Sequence, residues 1–376
     1  MSAIVNDRAK RIQTVLFLAF IGAFFLLNLL LPDKTFSEQE NRYLQTAPRF
    51  SFSALFSGKF TSDFETYLTD QFAFRDGWIM LKARTELANG KRENNGVYLC
   101  EDETLIEPFT APKQADLDFS LDAVNALAKQ AGVPVYFALI PSASEIWRGK
   151  LPDGTPNDSQ TETIEHAYAY VHTPTADVLG ALQASDEEPI FYRTDHHWTT
   201  LGAYYGYTAI ADAMGLNPAP LSDYTERIVS REFYGTAYSS SGFSWVAPDS
   251  ISAYVPSGGV TVTNYPEGQP VEGSMYVETF LEAKDKYKFF YGGNTPLLTI
   301  ETGNTDAPSL LILRDSYMDA MSPFLTAHFS RIHILDLRYY KTSLRAYIEE
   351  NGIDNILVCY NVKNFSEDGN IFLMQY

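Results

Sequence analysis

Hydrophobic positions fall into three regimes along the chain. Val15–Leu31 reads "VLFLAFIGAFFLLNLLL", an uncharged run with one polar side chain, Asn28. At 1.5 Å per residue it covers roughly 26 Å, nearly the hydrocarbon core of a bilayer, with Ile12 and tilt supplying the rest. From Asp33 to about Glu93 apolar residues recur at helical spacing, as in Phe64, Leu68 and Phe72, followed by Trp78, Leu81 and Leu87. This predicts one or two helices, interrupted upstream by Pro48, forming a membrane-proximal arm on the main domain. Beyond Gly96 the pattern alternates. "GVYLC" and "TLIEPF" read as short strands, and "QADLDFSLDAVNALAKQAG" as a helix with Leu117, Leu121, Val124 and Leu127 on one face and a Gly stop at Gly132. "VPVYFALIP" is continuously apolar, as in a strand buried on both faces. "TPTADVLGALQAS" predicts a helix, "PIFYRTD" a short strand and "TTLGAYYGYTAIADAMG" another helix. "SLLILRDSYMDAMSPFL", "RIHILDLRYY" and "NGIDNILVCY" then predict strand–helix–strand–helix–strand. Strands alternating with helices imply an α/β fold with a mostly parallel sheet. Residues 222–294 depart from this. They are rich in Ser, Gly, Tyr and Val and predict a β-rich insertion.

These regimes divide the chain into a tail (1–11), a transmembrane anchor (12–32), the helical arm (33–95) and an α/β domain (96–376). Arg8, Lys10 and Arg11 precede the apolar run, so the positive-inside rule puts the tail in the cytoplasm and everything after Pro32 outside. A cleaved signal peptide is the alternative. The run is long for one, and "LLLPDKTF" has no small-x-small cleavage site. The net charge of −19, with no Lys/Arg-rich run, excludes a nucleic-acid partner. Cys100 and Cys359 stand far apart, without metal spacing or a disulfide framework. P-loop, GxGxxG, HExxH and EF-hand patterns are absent, so no cofactor or metal is expected.

Two stretches carry candidate chemistry. In "LLILRDSYMDAM" an apolar strand ends at Leu313 and a helix starts near Ser316. A serine there lies at the carboxyl edge of the sheet, beside helix N-terminal N–H groups suited to an oxyanion. Ser316 followed by Asp319 also fits a plain helix N-cap. In "YRTDHHWTTLGAYYGY" an aspartate precedes two histidines. If that segment is extended, Asp195 and His197 share a face and His196 points away. A histidine held by a carboxylate is what a serine hydroxyl needs to become a nucleophile. An aspartate capping the next helix, with a histidine packed on its first turn, is the plainer alternative. His166 and His172 lie in a polar helix-like stretch, His328 and His333 flank a turn and a strand, and "DLD" at Asp116–Asp118 fits a solvated helix face. Tyr204 and Tyr205 fit a core, or else a carbohydrate groove.

"TDHHWTTLGAYYGY" resembles the signature of the DHHW protein family, itself similar to the SGNH-hydrolase-like alginate O-acetyltransferases. "FSEQENRYL", "ALIPSASEIW", "FYGTAYSSSGF", "FFYGGNTP", "LILRDSY", "DLRYY" and "YNVKNF" follow in the family's order, so the resemblance runs from about Phe36. It implies an SGNH-hydrolase-like, flavodoxin-like fold. It implies Ser316 as nucleophile, His197 as base and Asp195 as its partner; His196, Trp198, Arg314 and Asp315 beside them in sequence are candidates for a supporting role. Asn294 in "YGGNTP" is a candidate oxyanion donor, or simply part of a Gly-Gly-Asn turn. Arg314 stands where related blocks often carry Gly. The function implied is acyl transfer, or esterase action, on an exported or cell-surface polysaccharide, with a membrane-bound acyltransferase partner supplying the acyl group. A non-catalytic carbohydrate-binding or scaffold protein on the same fold is one alternative. A metal-dependent phosphoesterase is another, weakened by the lack of further Asp/His motifs.

Overall fold

In the computed structural model, which describes residues 2–375, the chain divides into two compact units. They are Met1–Lys91 with Gly242–Ser244, and Arg92–Ser241 with Trp245–Tyr376. The first unit opens with helix α1 (Ser2–Leu30). Its segment Arg8–Leu30 is long and apolar enough to cross a membrane. A short strand pair, β1 (Phe36–Ser37) and β2 (Arg42–Tyr43), and helices α2 (Phe52–Phe56), α3 (Lys59–Asp70) and α4 (Arg75–Ala88) follow. Within this unit the α3–α4 elbow packs on α1, with Phe72 stacked on Phe24 at 5.6 Å.

The second unit begins with a small antiparallel sheet of β3 (Glu93–Asn94), β4 (Val97–Leu99) and β5 (Leu105–Ile106). Next come α5 (Gln114–Gln130), β6 (Val135–Ile140), α6 (Ala143–Ile146), α7 (Gln160–Tyr170), α8 (Val178–Gln183) and α9 (Thr200–Ala213). The β-rich stretch gives β7 (Tyr224–Phe233), α10 (Thr236–Ser241), β8 (Asp249–Pro256), β9 (Val260–Asn264) and β10 (Val271–Gly273). The chain closes with β11 (Leu297–Thr302), β12 (Ser309–Arg314), α11 (Met318–Leu325), β13 (Arg331–Leu335), α12 (Leu344–Asn351), β14 (Asn355–Asn361) and α13 (Val362–Glu367).

The main sheet has seven strands in the order β10-β9-β11-β13-β12-β14-β6. Side chains alternate across its central strands. Leu310 and Ile312 face a core covered by α8, α9 and α11, while Leu311 and Leu313 face one covered by α5, α7, α12 and α13. Burial on both faces is why these strands read as unbroken apolar runs. The expectation of a mostly parallel sheet holds only for β13, β12, β14 and β6. The pairings of β11 with β13, of β11 with β9 and of β10 with β9 are antiparallel. Chain length explains the correction. A parallel connection needs about a dozen residues or more, and the 303–308 link between β11 and β12 is too short, so β11 runs the other way. The segment 222–294 accordingly splits. β7 and β8 pair with each other, whereas β9 and β10 extend the main sheet.

The four parallel strands place the site. The chain leaves β12, packs α11 against one face and returns as β13 on one side. It then packs α12 against the other face and returns as β14 on the opposite side. The carboxyl end of β12 is therefore a topological switch point, where α/β sheets open a crevice.

Candidate active site

Ser316 follows β12 at that switch point. Asp315 holds the turn, because its carboxylate accepts from Tyr317 N at 3.0 Å, Asn361 N at 2.8 Å and Asn364 Nδ2 at 2.7 Å. The last two tie the turn to the β14–α13 junction. The N-cap alternative for Ser316 is not realised. Tyr317 occupies the cap position without a side-chain cap bond, and the Ser316 hydroxyl lies 2.8 Å from His197 Nε2.

The segment predicted as the strand "PIFYRTD" is a loop instead. Phe191 bridges to Trp198, and Tyr192 N donates to His197 O at 3.2 Å, so the chain reverses around residues 193–196. Arg193 and Thr194 direct their N–H groups to the buried Asp249 carboxylate rather than to a neighbouring strand. The alternation of an extended segment is thereby lost, and His196 does not point away. Its ring lies 3.9 Å from that of His197.

Asp195 is buried and accepts four hydrogen bonds. Oδ1 takes His197 N at 2.9 Å and His197 Nδ1 at 2.6 Å; Oδ2 takes Thr236 N at 2.8 Å and Thr236 Oγ1 at 3.1 Å. Burial works to raise its pKa, but the charges of His196 and His197 and these donors overcome it and hold the carboxyl well below the usual range. Burial and the neighbouring His196 push His197 down to about 4, against the pull of Asp195. The His197 ring is sandwiched, with His196 on one face and Tyr287 on the other, stacked at 3.9 Å and 12°. Trp198 is fully buried, and its Nε1 donates to Tyr317 O at 2.9 Å, linking the loop to the Ser316 turn. Gly206 leaves room for its ring, since a Cβ there would overlap it.

The remaining sequence candidates sit around this group. Arg314 is fully buried, donates to Asn294 Oδ1 at 2.7 Å and lies 3.1 Å from Asp319 Oδ1. Asn294 is exposed, with its carboxamide oxygen committed to Arg314. His166 pairs with Asp118, while His328 and His333 hydrogen-bond Tyr207 and Tyr347. Tyr204 and Tyr205 pack on the core. Both cysteines are free and buried. Asp195, His196 and His197 are the one cluster among the described residues whose possible ligand atoms lie within 4.8 Å of one another. Both ring nitrogens of His197 are engaged, so an ion there would displace its bonds to Ser316 or Asp195. Thr236, Gly235, Tyr287 and Tyr317 escaped the sequence reading. The first two lie in "FYGTAYSSSGF" and Tyr287 in "KYKFFYGG", where spacing gives no hint of what folds above them.

Beside these residues lies a cavity of about 300 Å³, lined by Ser142, Ser144, His196, Tyr317, Asn361 and Asn364 among others. A mixed α/β sheet with a hydrogen-bonded serine, histidine and aspartate at its switch point defines the class. The chain belongs to the DHHW protein family, which matches residues 115–335.

Over 209 residues the chain is 25% identical to a probable alginate O-acetylase, AlgJ, of Pseudomonas syringae pv. tomato; the match covers 52% of this chain and 53% of that protein. The chain thus spans about half the length of the curated relatives it matches. The crystal structure of a DHHW family protein from Eubacterium siraeum is similar with a TM-score of 0.67 and 26% identity, over 75% of this chain and 95% of that one. Bacillus cereus PatB1, solved with a sulfonyl adduct, has a TM-score of 0.60 at 23% identity over 74% and 98%, a likeness of fold alone.

Proposed function

We propose that this chain is a membrane-anchored serine acyltransferase working outside the cytoplasm, which moves acetyl groups onto hydroxyls of an exported or cell-surface polysaccharide. The observation that carries the reading is the chain Ser316 Oγ–His197 Nε2 at 2.8 Å and His197 Nδ1–Asp195 Oδ1 at 2.6 Å. Ser316 Oγ attacks the carbonyl carbon of an acetyl donor while His197 Nε2 takes its proton. The tetrahedral intermediate expels the donor's leaving group, which receives that proton, and acetyl-Ser316 remains. An acceptor hydroxyl then gives its proton to His197 and attacks the acetyl carbon. Collapse returns the proton to Ser316 Oγ and releases the acetylated sugar. Asp195 keeps the imidazole in the Nδ1–H tautomer and stabilises the imidazolium.

The 300 Å³ cavity beside His196, with its hydroxyl and amide groups, suits a sugar acceptor. Burial of His197 under Tyr287 limits water's access, which favours transfer over hydrolysis. The likeness to a probable alginate O-acetylase supports a polysaccharide acceptor and O-acetyl chemistry. Cytoplasmic acyl donors are charged and do not cross a membrane unaided, so a membrane-bound acyltransferase partner would deliver the group.

The test uses an activated acetyl ester and peptide mass spectrometry. Acetyl on Ser316, absent in Ser316→Ala and in His197→Ala, is the expected result. A folded protein that never acylates and releases no acetate would overturn it in favour of a carbohydrate-binding protein.

A further inference from the structure

The apolar helix and the arm share one unit, and their contacts carry an inference about depth. Val15–Leu31 covers about 26 Å against roughly 30 Å of hydrocarbon. A crossing helix therefore has no apolar residues to spare, and Leu30 lies at its outer boundary. The α3–α4 elbow packs well below that end. Phe72 stacks on Phe24 with centroids 5.6 Å apart and planes 3° from parallel. Trp78 lies 5.6 Å from Phe24 and 6.5 Å from Phe20. Asn28, the one polar residue of the run, accepts from Ala73 N at 2.8 Å. Along the axis Phe24 and Phe20 sit roughly 9 and 15 Å beneath Leu30. Rings that touch them share their depth.

We propose that the elbow of the arm, residues 72–81, is sunk in the outer leaflet of the membrane, with lipid acyl chains covering its apolar side chains. The inference rests on α1 being a retained membrane anchor. Phe74, Leu81 and Trp78 are 64%, 52% and 37% exposed although all three are apolar. Phe74 adopts φ +61, a left-handed conformation unfavourable for a residue with a Cβ, and it holds the ring outward. Aromatic side chains of this kind concentrate where membrane meets water. Charge at the same elbow is paired, Asp76 lying 3.8 Å from Lys34 just beyond the end of α1. Asp70 is buried against Arg42, with Nη2 and Oδ1 2.5 Å apart, and Arg75 pairs with Glu40. Paired ions at a membrane boundary cost far less than free ones. Lipid is the occupant because the contacts are continuous with a helix whose other surface is bare. Phe17, Phe25 and Leu29 are each more than 60% exposed.

The test reconstitutes the full chain in phosphatidylcholine–phosphatidylglycerol vesicles and labels single added cysteines with a fluorophore. Cys100 and Cys359 are buried and do not compete. Phe74→Cys and Leu81→Cys report on the elbow, Leu26→Cys on the anchor, and exposed Lys129→Cys on an aqueous position of the α/β unit. Nitroxides on shallow acyl positions should quench the two elbow probes several-fold more than the probe at 129, and iodide several-fold less. Iodide access equal to that at 129, without nitroxide quenching, overturns the proposal. Shielding from both quenchers overturns it too, since protein rather than lipid would then cover the site. If the probe at 26 also escapes nitroxide, the anchor reading fails along with it; if 26 is quenched and the elbow is not, only this proposal fails.

Discussion

His197 is subject to opposing pulls, and their balance sets a pH dependence. Burial and His196 push its imidazole down to about 4, while Asp195 draws it up. In the proposed mechanism only the neutral ring can take the Ser316 proton, so activity should be present above the folded-state pKa and be lost as the pH falls through it. The acid limb of kcat/KM for acetyl release is expected near pH 4, well below the ordinary histidine value of about 6.5. His196→Gln removes the neighbouring ring that pushes His197 down and should move that limb upward with a modest rate loss. His197→Ala should cost several orders of magnitude. A parent enzyme whose limb sits at 6.5, or equal and complete loss from both variants with intact folding, contradicts this assignment.

At the scale of elements, the critical junction is the entry into α10. Thr236 at its first turn donates twice to Asp195, and Gly235 lies so close that a Cβ would overlap the Asp195 side chain. Gly235→Ala should therefore displace the carboxylate. A misplacement near 1 Å costs on the order of 100-fold in rate, and overpacking costs about 1–3 kcal/mol. Gly258→Ala, where a Cβ meets open space, serves as the control. Rate and thermal unfolding of the two variants, measured side by side, check the claim. An unchanged rate in Gly235→Ala would mean that Asp195 need not be held where it is.

For the whole molecule, the prediction is topological. Arg8, Lys10 and Arg11 precede the span, so the Arg92–Ser241 and Trp245–Tyr376 unit should lie outside the cytoplasm. Protease added to intact cells should digest it, and the full chain should stay with membranes after a high-salt wash. Digestion only after lysis would refute the orientation. Release by salt would refute the anchor.

What the sequence by itself determined is what depends on near neighbours. Helix α5 turns the face Leu117, Leu121, Val124 and Leu127 inward, as its spacing requires. Strands β6, β12 and β14 were legible because a strand buried on both faces must be apolar throughout. The family was legible because DHHW and RDSY are short contiguous words. Tertiary structure alone decided the rest. The antiparallel half of the sheet follows from which strands a six-residue link can reach. The 193–196 loop forms because Asp249, far along the chain, captures its N–H groups. Ser316 and His197 are 119 positions apart, and no local pattern says that their side chains meet at 2.8 Å. Thr236 and Tyr287 were invisible for the same reason. Local propensity and periodicity are properties of a stretch of chain, whereas a site is a coincidence in space of stretches that only the packed sheet brings together.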